Sequence, residues 1–149
     1  MMRLGRPSVG RILIEQQSLT TDQLTAALRH QSQSGGRMGD VLIRLGYCSD
    51  REVARSLAEQ LGVPFVDLED TPPHPSCVHM LPAKVALEYG VIPVRMQGDR
   101  LLVVARDPND IRVDTAVEQA TGLRVLVGVA TEMQLMRALR KYYDRDVWN

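Results

Sequence analysis

Gln31 and Gln60 each close the apolar side of a patterned run, Leu24, Ala27, Leu28, Gln31 and Val53, Ser56, Leu57, Gln60. That i, i+3, i+4, i+7 spacing is one face of a helix, so an amide stands where another leucine would pack better. Gly10 and Gly39 fall just inside two expected helix starts. Glycine there costs roughly 0.5–1 kcal/mol against alanine. It also lets a ligand lie against the backbone N–H groups of a helix terminus, which favours anions. These groups hold a ligand; none of them is a nucleophile or a proton-transfer group.

Chemistry of other kinds finds no support. The sequence has no G-x-x-x-x-G-K-[ST] phosphate loop, no G-x-S-x-G elbow and no H-E-x-x-H pair. His30, His74 and His79 are not at metal-ligand spacing, and His74 among prolines reads as solvated. Cys48 occupies an apolar position where the matching segment has Leu19, so it reads as a small core residue. Cys77 has only His79 near it in sequence and reads as inert. The expectation is a protein that is not an enzyme and needs no metal or cofactor.

The elements that position these residues form an internal repeat. Residues 8–31, SVGRILIEQQSLTTDQLTAALRHQ, align with residues 37–60, RMGDVLIRLGYCSDREVARSLAEQ, with five residues between the copies. Gly10/Gly39, Leu13/Leu42, Ile14/Ile43, Leu28/Leu57 and Gln31/Gln60 are identical pairs. Each copy reads as a short helix, a tight turn and a longer helix. Thr20 with Gln23, and Ser49 with Glu52, are capping boxes that start the longer helices. Gly46 stands where a left-handed residue would end the short helix, and Gln17 fills that place in the first copy. A side chain held in that conformation costs roughly 1 kcal/mol.

Beyond the repeat the pattern changes. Phe65 to Leu68 is a short β-like run, and the prolines Pro72, Pro73 and Pro75 suggest a linker. A helix from Pro82 to Glu88, strands at 91–96 and 101–105, a helix to about Ala120 led into by Asp107-Pro108-Asn109, and a strand at 123–129 follow. Thr131 and Gln134 make a third capping box, before a helix whose one face carries Leu135, Ala138, Leu139 and Tyr142. The expected fold is α+β: a tandem helical-hairpin repeat over 1–68, a linker over 69–77, and a small C-terminal α/β domain over 78–149 packed with the repeat. Strand order is not readable from periodicity.

Composition narrows the partners. Eighteen Lys and Arg against eighteen Asp and Glu leave no net charge over 149 residues, which argues against a DNA or RNA binder. Aromatics are 4%, too few for a base-stacking platform. No apolar run reaches the roughly 18 residues of a membrane span, and the N-terminus has no apolar signal core. A cytoplasmic protein with reduced thiols and no membrane insertion is expected.

The paired segments resemble the tandem motif of the MshEN-type N-terminal domain of type II secretion and type IV pilus assembly ATPases, roughly R-L-G-x-x-L-[LVI]-x-x-G-x-φ-x-x-x-x-L-x-x-x-L-x-x-Q written twice. The second copy matches at Arg37, Met38, Gly39, Leu42, Ile43, Gly46, Cys48, Val53, Leu57 and Gln60, and the first at Gly10, Leu13, Ile14, Leu19, Leu24, Leu28 and Gln31. Ser8 and Gln17 depart from the pattern's Arg and Gly. The runs LPAKVALEYGVIPV and ARDPND resemble the family's α/β part. The resemblance implies binding of cyclic di-GMP, with a secretion or pilus ATPase, or another component of such a machine, as partner. It makes Arg37 the cation facing guanine or phosphate, Gln31 and Gln60 amide donors, and Asp107 a carboxylate for guanine N–H groups. Met38, Gly46 and the apolar positions, Leu13, Ile14, Leu24, Leu28, Leu42, Ile43, Val53 and Leu57, line the bases and sugars. With Ser8, one Arg–guanine contact worth roughly 1–3 kcal/mol is lost, unless Arg6 or Arg11 reaches across. The alternative is a degenerate member that has lost the nucleotide and serves as a protein-docking adaptor.

Overall fold

The computed structural model describes residues 8–144, which divide into two compact units meeting at Gly62 and Val63. The first holds α1 (Val9–Glu15), α2 (Thr21–Ser34), α3 (Met38–Arg44) and α4 (Asp50–Leu61). Both capping boxes form. Thr20 Oγ1 accepts from Gln23 N at 3.1 Å while Gln23 Oε1 accepts from Thr20 N at 3.0 Å. Ser49 and Glu52 repeat the exchange at 3.1 and 2.9 Å. The short helices end alike. Ser18 N donates to Leu13 O and Gln17 N to Ile14 O; Tyr47 N donates to Leu42 O and Gly46 N to Ile43 O, each at 2.9–3.0 Å. This is the Schellman closure, with Gln17 at φ 61° and Gly46 at φ 75°. Leu13, Leu19, Ala27, Val41, Leu42 and Cys48 form the core of this unit. Burial, and then the charge of Glu52, push the Cys48 thiol pKa up, which fits a core residue.

The second unit is α/β. It contains α5 (Pro75–Val78), α6 (Ala83–Tyr89), β1 (Val91–Gln97), β2 (Arg100–Ala105), α7 (Ile111–Thr121), β3 (Arg124–Gly128) and α8 (Glu132–Leu139). The sheet order is β1-β2-β3. β1 and β2 are an antiparallel hairpin turned at Gly98, φ 62°. β2 and β3 run parallel, joined through α7. Central β2 is buried from Leu101 to Ala105, as a strand covered on both faces must be.

Several expectations need correction here. The boundary lies after Gly62, not after Leu68, and residues 69–77 are not a linker. Val66 N donates to Val129 O at 2.7 Å and Val129 N to Pro64 O at 2.9 Å, so this stretch adds a parallel bridge beside β3. Val66, Leu68, Cys77 and Val78 belong to the α/β core, and α5 starts with His74 as its cap. Pro75 opens α5 at its first turn rather than loosening the chain. α7 begins at Ile111, capped by Asp110, directly after the Asp107-Pro108-Asn109 run that leads into it. Thr131 caps α8, but Gln134 does not complete a box: its Oε1 accepts from Leu68 N at 3.0 Å and its Nε2 donates to Asp67 Oδ1 at 3.1 Å. Finally, α8 continues as a π turn over Arg140–Asp144. The wider turn advances the buried face by one residue, so Tyr143, not Tyr142, is sealed inside, its hydroxyl donating to Val78 O at 2.9 Å.

Candidate functional site

The residues of the two motifs sort by how much surface they offer. Leu13 and Leu42 are fully buried. They anchor the helical core, each worth about 1.5–3 kcal/mol, and present no face to a ligand. Leu24 and Val53 are half-buried against the short helices. A Cβ on Gly10 would stand 2.8 Å from Leu24 Cδ1, and one on Gly39 2.6 Å from Val53 Cγ1. At Gly39 the neighbour is a stiff β-branched side chain, so close helix–helix approach accounts for the glycine; at Gly10 it is the far end of flexible Leu24, which can give way. Both short helices have seven residues, which makes their N-termini poor anion sites. Gly46 is exposed with open space around it, so its role is the left-handed turn.

The remaining positions are at the surface. Leu28 is 51% exposed and Ile43 38%, unusual values for large apolar side chains in a well-packed unit. Ile14, Leu57, Met38 and Gln60 are half-buried. Arg37 is exposed and is the N-cap of α3, where its side chain makes no capping bond. Gln31 Nε2 donates to Gly36 O at 2.9 Å, which ties the end of α2 to the residue preceding Arg37.

The short helix of each copy packs on the long helix of the other: α1 on α4 and α2 on α3. Gln16 Nε2 donating to Glu59 Oε2 at 2.8 Å, and Cys48 Sγ lying 3.7 Å from Ser18 O, stitch the copies together. Each short helix therefore borders the long helix of the other copy as well as Leu24 or Val53 of its own. Arg37 shares the α2–α3 side with Gln31, Leu28 and Ile43, whereas Gln60, Leu57 and Ile14 share the α1–α4 side with Ser8. Reading along the sequence had grouped Arg37 with Gln60.

Ser8 is more than a departure from a pattern. It is the N-cap of α1, its Oγ accepting from Arg11 N at 3.2 Å. A serine directly before a helical run signals this role, which the sequence reading missed. Arg11 leans toward the other end of its helix, Nε 3.4 Å from Glu15 Oε1. Arg6 lies outside the described residues. Asp107 belongs to the α/β unit, where its Oδ1 accepts from Asn109 N at 3.1 Å. Among the described residues no cluster of three His, Cys, Asp or Glu could hold a metal ion, and no helix is long and apolar enough to cross a membrane.

A tandem capped repeat followed by a three-stranded α/β unit is a recognisable arrangement. The MshEN domain model matches residues 61–147, and the chain belongs to the MshEN family. The structure titled MshE with cdg, cyclic di-GMP, superposes with a TM-score of 0.76 at 30% identity over 93% of this chain and 100% of that one. That likeness takes in the repeat, which the family model leaves largely outside. The type IV pilus assembly ATPase PilB of Thermus thermophilus is 35% identical over 77% of the chain. Bacteriophage adsorption protein B of Escherichia coli K12 is 34% identical over 92% of it. The chain spans between 14% and 24% of the length of the curated relatives it matches.

Proposed function

We propose that this chain is a non-catalytic regulatory module that binds cyclic di-GMP on its tandem repeat and passes the signal to a secretion or pilus machine in the cytoplasm. The observation that carries the reading is the surface of α2 and α3. Exposed Arg37, the Gln31 amide bonded to the O of the preceding Gly36, and exposed Leu28 and Ile43 are carried by these two helices, which pack on each other. A guanidinium offers paired N–H donors to guanine O6 and N7, and Leu28 and Ile43 supply apolar contact for a base or sugar face. The structural likeness to MshE with cyclic di-GMP supports the choice of ligand. Titration calorimetry with cyclic di-GMP tests the reading: saturable binding that Arg37→Ala weakens is expected, and no heat above dilution would sink it.

A second reading, a protein-docking adaptor without a nucleotide, is favoured by Ser8. That position serves helix capping where the motif has arginine. The same titration separates the two.

A further inference from the structure

The two short helices carry their charges in opposite order, and only one of them closes its pair. Arg11 and Glu15 of α1 meet at 3.4 Å. Asp40 and Arg44 of α3 stand in the order that favours an i, i+4 pair, acid before base. That pair does not form: among the described residues the Arg44 guanidinium has no ion-pair or hydrogen-bond partner. Its Nη2 instead lies 3.7 Å from where a Cβ on Gly36 would stand. Gly36 directly precedes Arg37, and its carbonyl accepts from Gln31 Nε2 at 2.9 Å. The exposed head of Arg44 is therefore turned onto the connection between α2 and α3, beside the residue proposed to face guanine. At the repeat mate of position 44 stands Glu15, a carboxylate already taken by Arg11. A cyclic dinucleotide carries phosphodiester anions as well as bases. A guanidinium without a protein partner can close its fork on phosphate oxygens, and a carboxylate in the same place repels them.

We propose that Arg44 is a further ligand-binding residue on the α2–α3 side, holding a phosphate of the nucleotide whose base Arg37 reads. This deepens the cyclic-dinucleotide reading and rests on it. The test is calorimetry with cyclic di-GMP on the whole chain, for wild type, Arg44→Gln and Arg44→Lys at low and high salt, with a denaturation midpoint for each protein. Arg44→Gln should weaken binding roughly fivefold at low salt, the upper end for an exposed ion pair. The deficit should shrink as salt is added, because a screened charge pair is what has been lost. Arg44→Lys should restore most of the affinity, since phosphate accepts a point charge as well as a fork. The three midpoints should agree. Unchanged affinity in Arg44→Gln overturns the inference, as does a deficit that salt leaves untouched or lysine does not restore. A deficit matched by a lowered midpoint overturns it too. Arg44 would then serve the fold, opposing the C-terminal dipole of α2, whose last turn carries no basic side chain. Absence of binding by wild type overturns the cyclic-dinucleotide reading itself, a separate failure.

Discussion

The two copies of the repeat build the same backbone from different residues. Both short helices end in the same closure, although one uses Gln17 at φ 61° and the other Gly46 at φ 75°. Both long helices start in a capping box, one closed by neutral Gln23 and the other by Glu52. Glu59 takes a hydrogen bond from Gln16. Its repeat mate His30 keeps a buried Nδ1 with no partner among the described residues, because Leu45 stands where Gln16 would. Charge order along the short helices is also reversed, Arg11 and Glu15 against Asp40 and Arg44. The shared part is set by hydrogen-bond closure and by Leu13 and Leu42. The parts that differ are the side chains that fill those shared roles.

The comparison can be broken most sharply at position 37. Arg37→Ala should weaken cyclic di-GMP binding by at least about 1–3 kcal/mol, out of the detectable range where wild-type affinity is modest, with an unchanged circular dichroism spectrum. If calorimetry finds the affinity untouched, the Arg37 side is not the stronger one.

Next come the glycines. Gly39→Ala should destabilise by about 1–3 kcal/mol, since the new methyl meets Val53 Cγ1, part of a β-branched side chain with little freedom. Gly10→Ala should be nearly neutral, because it meets the far end of Leu24, which swings aside, and alanine is the better helix former. Equal denaturation midpoints for the two variants would contradict this.

At the turns the expected signs are opposite. Gln17→Gly should stabilise and Gly46→Ala destabilise, each by about 1 kcal/mol, through backbone conformation alone. Nothing stands within 4 Å of a Cβ at Gly46 to add a clash. Chemical denaturation of both variants checks the pair.

The smallest difference is one of pH. The Ser49 N–H, helped by the Ser18 hydroxyl, holds the Glu52 carboxyl pKa below its usual value, outweighing a slight rise from burial. A depressed folded pKa gives stability that is present above the unfolded value, about 4.3, and is lost as pH falls through the lower folded value. Glu52→Gln, which copies Gln23, should flatten that acid limb of the stability profile slightly; an unaltered limb would remove Glu52 from the account.

How much of this was legible in the sequence depends on the range of the interaction. Caps and turn closures are local, so Thr20, Ser49 and the Gln17/Gly46 pair could be read directly. The purpose of Gly39 could not, because it lies in Val53, fourteen residues further on and close only once the hairpin forms. Gln134 carries the letters of a capping box, yet Asp67 and Leu68, distant in the chain, take its side chain. The π turn has no composition of its own, so Tyr143 was missed in favour of Tyr142. The site divided similarly. Arg37 and the glutamines were visible, whereas their grouping across copies follows from packing, which periodicity does not encode.

The stretch that follows the repeat bears on how one rim of the α/β sheet is covered. A strand at the rim of a sheet exposes unpaired N–H and C=O groups that template pairing with another chain. Pro64 and Val66 occupy the rim just beyond β3 by exchanging hydrogen bonds with Val129, and Gly128 leaves room for the Pro64 carbonyl, which would lie 3.0 Å from an added Cβ. A fragment starting at Val63 retains this cover. One starting at residue 69 would strip it away, strand both polar groups of Val129 and deprive Gln134 of its partners, leaving a sheet rim ready to recruit a foreign strand.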